Sequence, residues 1–177
     1  MSQSPFPDAA PDFNDPLGLL RACHGRIEHH CDTLEKLAVH LREHGVDAEA
    51  RSAAGAIHHY FSTAGQLHHQ DEEQDLFPIL ARQSLKLADQ VHRLRRDHQA
   101  MDALWQQLAP LLARPAAIAD LDTFAALTAD FAAAYRDHIR RENDDLLEMA
   151  RHILSRAELK KLGAQMAARR GIRHTPS

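Results

Sequence analysis

The chain has 177 residues, 44% of them hydrophobic, and carries a formal charge of −4. That length supplies one compact domain with a real core rather than two, and the mild acidity offers no basic face to a nucleic acid. No apolar run approaches the roughly 20 residues of a membrane-crossing helix, so no membrane partner is expected. The first fifteen residues have neither the basic start nor the apolar stretch of a secretory signal.

Residues 1–15, with Pro5, Pro7 and Pro11, read as an irregular arm. A first helix is expected over about 16–44, where Leu20, His24, Ile27, Cys31, Leu34, Ala38 and Leu41 recur at steps of three and four. Gly45 suits its C-cap and Asp47 the N-cap of the next helix. Cys23 and Cys31 would lie about 12 Å apart along that first helix, too far for a disulfide. Cytoplasm is the expected compartment.

The second helix is expected over about 48–81, carrying Ala54, Ile57, Phe61, Ala64, His68, Glu72 and Leu76, with Pro78 kinking or tightening its last turns. A third, over about 85–113, has Val91, Leu94, His98, Met101, Trp105, Leu108 and Leu112 on one stripe. Pro115 and Asp120 then break the pattern. The fourth, over about 120–154, carries Phe124, Leu127, Phe131, Tyr135, His138, Glu142, Met149 and Ile153. Ser155 and Glu158 form a capping box for a short fifth helix over about 156–169, and Arg169, Arg170 and Arg173 read as a solvated tail. The expected fold is all-α: an antiparallel up-down-up-down four-helix bundle over 16–154, preceded by the arm and followed by the short helix and tail of 155–177.

Fourteen histidines are more than fold alone explains. Each of the four apolar stripes is interrupted by one of them, and a polar group in a bundle core is costly unless satisfied. Antiparallel neighbours place residues equally far from a turn at equal height. His24 lies 21 residues before Gly45 and His68 lies 23 after it; His68 and His98 are each 15 residues from Gln83. His98 and His138 lie 19 and 21 residues from Ala117. The four imidazoles therefore fall in one layer, and Glu72 and Glu142, one turn beyond His68 and His138, reach in from the same side.

Imidazole with carboxylate suits iron, zinc, manganese or copper. Six ligands are too many for one structural zinc, which takes four and usually uses cysteine. They suit two metals, with two histidines each and both glutamates bridging. Coordination positions are then left open to small molecules.

The segment His68-His69-Gln70-Asp71-Glu72-Glu73-Gln74-Asp75-Leu76-Phe77-Pro78, with His138-Ile139-Arg140-Arg141-Glu142-Asn143, resembles the hemerythrin-like (HHE cation-binding) family. His24 and His98 stand where that family places its lone histidines, and the resemblance runs over about 16–153. It implies a non-haem di-iron site, with zinc or a mixed pair as the other occupant, at His24, His68, Glu72, His98, His138 and Glu142. It also implies a diatomic ligand (O2 or nitric oxide) or peroxide as partner.

The oxygen-carrying members differ. They place a second histidine one turn from the helix C ligand, where this chain has Leu94 and Asp102, and an aspartate where it has Asn143. Stress response or sensing is expected rather than bulk oxygen transport. The other function in view is a metal-dependent regulatory, sensor or iron-handling module without turnover. A ferritin-like oxidase would need Glu-x-x-His pairs, and the chain has none.

The remaining candidates divide by helix position. Tyr135, one turn before His138, faces either the pocket or the core. Glu28 is expected at the surface. His69, about 100° around from His68, is expected off the ligand face, with a supporting role as the second reading. His29, His30, His40, His44, His58, His59, His92, His152 and His174 are expected to point largely outward.

Overall fold

The computed structural model describes residues 11–174. The N-terminal part of the expected arm, residues 1–10, and residues 175–177 of the tail lie outside the described residues.

The protein is all-helical, as expected. Helix α1 runs Pro16–His44, capped at its start by Asp15, whose carboxylate accepts from the Gly18 amide at 3.0 Å. Gly45, at φ 71°, ends it; that left-handed φ is one that residues with a Cβ rarely take. Asp47 caps α2 (Ala48–Ser62) through the Ala50 amide at 2.8 Å. Helix α3 (Ala64–Gln70), a π turn (Asp71–Leu76) and α4 (Phe77–Ala81) continue the same rod.

Helix α5 (Leu85–Ala113), capped by Ser84, returns alongside. A short 3-10 turn at Pro115–Ala117 leads to α6 (Leu121–Arg141), capped by Asp120. A second π turn (Glu142–Leu146) and α7 (Leu147–Ile153) complete the fourth rod. Helix α8 (Arg156–Arg169) starts on the expected Ser155–Glu158 capping box. Among the described residues, no helix is long and apolar enough to cross a membrane.

The second and fourth rods are not the uninterrupted helices that periodicity suggested. The second breaks at Thr63 (φ −127°, ψ −85°), not at Pro78. Proline in the first turn of α4 is harmless, because an amide there has no carbonyl to meet within its own helix. Each of the two rods also contains a π turn, in which the Phe77 amide reaches back five residues to Glu72 and the Leu147 amide to Glu142.

The four rods pack in a ring, α1 against α2 and α6, and α5 against α2, α4 and α6. Their buried faces form two apolar clusters. One holds Ile27, Cys31, Ile57, Phe61, Met101 and Phe131. The other holds Leu20, Leu76, Phe77, Leu80, Leu94 and Leu146, with Leu162 and Met166 of α8. Between them in sequence, on every rod, stand the buried polar residues His24, His68, Glu72, His98, His138 and Glu142. The core is two apolar compartments separated by a polar layer.

Candidate metal centre

All six residues in that layer are at most 4% exposed. They form two overlapping groups, His24–His68–Glu72–Glu142 and His98–His138–Glu72–Glu142, each with one donor atom per residue lying within 4.8 Å of the others. Glu72 spans the two: its Oε1 lies 3.3 Å from His68 Nε2 and 3.7 Å from His24 Nε2, while its Oε2 lies 3.3 Å from His98 Nε2. Glu142 Oε2 is 3.1 Å from His24 Nε2 and 3.3 Å from His138 Nε2. His98 Nε2 and His138 Nε2 are 3.1 Å apart.

Those spacings match the edges of a coordination shell. Donors about 2.1 Å from one ion sit about 3.0 Å apart at octahedral angles and about 3.4 Å apart at tetrahedral ones. The bonding pattern points the same way. His24 Nε2 and all four oxygens of Glu72 and Glu142 are buried without a hydrogen-bond partner among the described residues. Buried carboxylate oxygens in that state are costly, and a cation among them removes the cost. The donor set, four imidazoles and two carboxylates, fits two divalent transition metals.

Local geometry explains how each side chain arrives. His68 to Glu72 and His138 to Glu142 are four-residue steps on one helix face, and each glutamate opens onto a π turn. Such single-turn bulges recur at functional sites. Outside the layer, three of the four imidazoles hand Nδ1–H to a polar group. His98 donates to Glu73 Oε1 at 2.8 Å, His138 to Asp97 Oδ2 at 3.4 Å, and His24 to Asn143 Oδ1 at 2.8 Å. His68 Nδ1 has no hydrogen-bond partner among the described residues. With Nδ1 holding the proton, Nε2 turns its lone pair inward.

Charge in the layer is balanced by protons when no metal is there. Burial opposes a charge on His24, but Glu142 and Glu72 outweigh it and raise its pKa to about 10. Burial likewise opposes a charge on His98, which Glu72 and Glu73 raise to about 10. His138 is raised as well, the Glu142 charge and the Asp97 bond overcoming its burial. Burial would lift the Glu142 carboxyl, but His138 and His24 hold it well below the usual range. His68 goes the other way: burial and the neighbouring His24 charge push it well below 6.5.

Several surrounding residues sit elsewhere than the sequence suggested. His69 is buried, stacked on the His98 ring with centroids 4.0 Å apart, and its Nε2 is 3.4 Å from the Tyr135 hydroxyl. Tyr135 therefore serves both of its readings, since its ring also packs on Phe61 and Phe131. Beside the layer opens a surface cleft of about 410 Å³, with His69 and His98 in its lining together with Gln66, Gln70, Gln99 and Asp102. His30 is half-buried and stacked on Tyr60 at 4.0 Å. Glu28 is exposed, as expected.

Arg169 and Arg170 are not a solvated tail. Arg169 pairs with Asp71 and, at 2.7 Å, with Asp75. Arg170 reaches Asp71 Oδ2 at 2.7 Å. Asp71 is fully buried and directly precedes Glu72, so α8 grips the first π turn from outside. Gly163 of α8 meets the Phe13 backbone so closely that a Cβ would fall 1.9 Å from the Phe13 carbonyl oxygen. Sequence reading passed over Glu73, Asp97 and Asp71 as supports. For Glu73 the adjacent Glu72–Glu73 pair was the available signal; Asp71 and Arg169 are 98 residues apart and share no pattern.

Residues 15–150 match the family described as Hemerythrin HHE cation binding domain. A protein of Haemophilus influenzae described only as uncharacterized is 31% identical over 161 residues, which cover 91% of this chain and 93% of that protein.

Proposed function

The chain belongs to the hemerythrin HHE cation-binding family, and on that premise we propose that it is a non-haem di-iron protein reacting with O2, nitric oxide or peroxide in stress response or sensing. The observation that carries the reading is a pair of histidine pairs sharing both glutamates. His24 and His68 would hold one ion and His98 and His138 the other, with Glu72 and Glu142 common to both. Two ferrous ions held there supply two electrons and open positions for a small ligand.

The protein's own groups shape what happens around them. Ile27 and Phe61 in one apolar cluster and Phe77 in the other are buried to either side of the layer, and low-polarity surroundings strengthen the charge interactions inside it. Phe77 stacks on His98 with centroids 5.6 Å apart, fixing that ring. His69, which lines the cleft and stacks on His98, is the group we assign to meet an incoming oxygen species, with the Tyr135 hydroxyl 3.4 Å behind its Nε2. Leu94 and Asn143 add no inner ligand: Leu94 has no donor atom, and the Asn143 amide oxygen is turned to His24 Nδ1. This donor set is smaller than that of the oxygen carriers, which favours reaction or sensing over reversible transport.

One observation favours a second reading, a metal-dependent regulatory module: α8 grips the turn that carries Glu72. Metal analysis of protein produced with added iron tests the leading reading. Two irons per chain are expected, with a near-ultraviolet band that responds to azide. A chain that takes up no iron would end it, and zinc alone would move the weight to the regulatory module.

A further inference from the structure

The two histidine pairs have equal inner ligands but unequal backing. Behind His98 stands Glu73, 2.8 Å from Nδ1, and behind His138 stands Asp97 at 3.4 Å. Each carboxylate is steadied from outside by an arginine: Arg95 Nε lies 2.9 Å from Glu73 Oε2, and Arg141 Nη2 lies 3.1 Å from Asp97 Oδ2. Behind His24 stands only the neutral amide of Asn143 at 2.8 Å. Among the described residues, none hydrogen-bonds His68 Nδ1. Glu73 and Asn143 each directly follow a shared glutamate, so the same place in the two halves of the site is charged in one and neutral in the other.

A carboxylate that accepts Nδ1–H makes the opposite nitrogen a stronger donor and fixes its ring, and its loss typically costs about 10- to 100-fold in metal affinity. Two such carboxylates also bring negative charge close to an ion at one position and leave the other without it. Arg95 and Arg141 offset part of that charge, Arg95 on the other oxygen of Glu73 and Arg141 on the same Asp97 oxygen that meets His138, which makes Glu73 the stronger of the two supports.

We propose that the two metal positions are inequivalent: the His98–His138 position fills first and empties last, and Glu73 and Asp97 are the positioning residues that make it so. This rests on the two-metal reading above. The consequence is a protein that passes through a form with one ion in place, and whose second position, at His24 and His68, is the exchangeable one.

The test strips zinc from fully loaded protein with a graded chelator while imidazole NMR signals report which histidines have lost metal. Zinc is redox-silent, so the readout is independent of any activity. Two steps are expected, with His24 and His68 released first. Glu73→Gln keeps the shape and removes the charge. It should lower the affinity of the tighter step about tenfold and leave the weaker step in place, bringing the two together. Asp97→Asn should act in the same direction, more weakly, given its longer contact. Asn143→Leu should instead weaken only the first-released ion.

Simultaneous release of both ions in the wild type, release of His98 and His138 first, or an equal effect of Glu73→Gln on both steps would overturn the proposal. A chain that holds a single ion at His98 and His138 would overturn the two-metal reading while supporting the order. One that holds none overturns both.

Discussion

The two His-x-x-x-Glu turns are alike inside and unlike outside. Both place an imidazole and a carboxylate on one helix face, and both relax into a π turn at the glutamate. The first is then gripped by Arg169 and Arg170 through the buried Asp71 and Asp75. The second meets Arg21, whose Nη2 donates to the Asn143 carbonyl at 3.1 Å, while Asp144 and Asp145 lie exposed. Local spacing sets the inner geometry, which is therefore repeated; distant parts of the chain set the outer support, which is not.

The sharpest way to break the comparison is to remove the shared carboxylates. Because each is common to both ion positions, Glu72→Ala and Glu142→Ala are each expected to take metal content, measured after desalting, from two ions to one or none. Full loading in one variant and none in the other would show that the inner halves are not equivalent. The outer difference should then appear in stability. Asp71→Ala removes the carboxylate partner of Arg170 and one of the two of Arg169, and should cost up to about 3 kcal/mol in chemical denaturation. A change at an exposed aspartate of the second turn, Asp144→Ala, should cost less than about 0.5 kcal/mol. Equal losses would abolish the distinction.

Protonation sharpens the comparison further. In metal-free protein the His68 imidazole, lowered by burial and the His24 charge, should stay neutral as pH falls through 6.5. The His138 imidazole, raised by Glu142 and Asp97 against its burial, should stay charged as pH rises through 6.5. Imidazole NMR reads both. Metal must displace the protons of His24 and His98, which leave only near pH about 10, so affinity should climb with pH throughout the neutral range. A last effect concerns α8 itself. Ser155→Ala removes its capping box and should cost about 1 kcal/mol, with the loss felt as faster amide exchange in the first π turn and not the second.

What could be read in the sequence was whatever local periodicity dictates. The four histidines interrupting four apolar stripes, the four-residue steps to Glu72 and Glu142, and the caps at Gly45, Asp47 and Ser155 all follow from helix geometry over a few residues. The grip of Arg169 on Asp71 does not, because ion pairing across 98 residues leaves no period. The burial of His69 was missed for a related reason. A residue 100° from the ligand face is placed outside by a lone helix, but here the rod is flanked closely enough by α5 and α6 for His98 and Tyr135 to enclose it. The π turns did leave a trace. His138, Glu142, Leu146, Ala150 and Leu154 are all buried at steps of four, and each such step overshoots a helical turn by about 40°. Four in a row would carry Leu154 about 160° off the face, and one additional residue returns about 100° of that.

Seen that way, each π turn is a stretch where the count of residues matters more than their identity. If residues 142–146 wound as plain α-helix with none removed, everything after them would rotate by about 100°. Leu147 and Ala150 would swing off the core, and α8 would be carried away from the turn it grips. Side-chain substitutions there change one contact each, whereas loss of the π turn misaligns everything from Leu147 to the end of α8 with the polar layer.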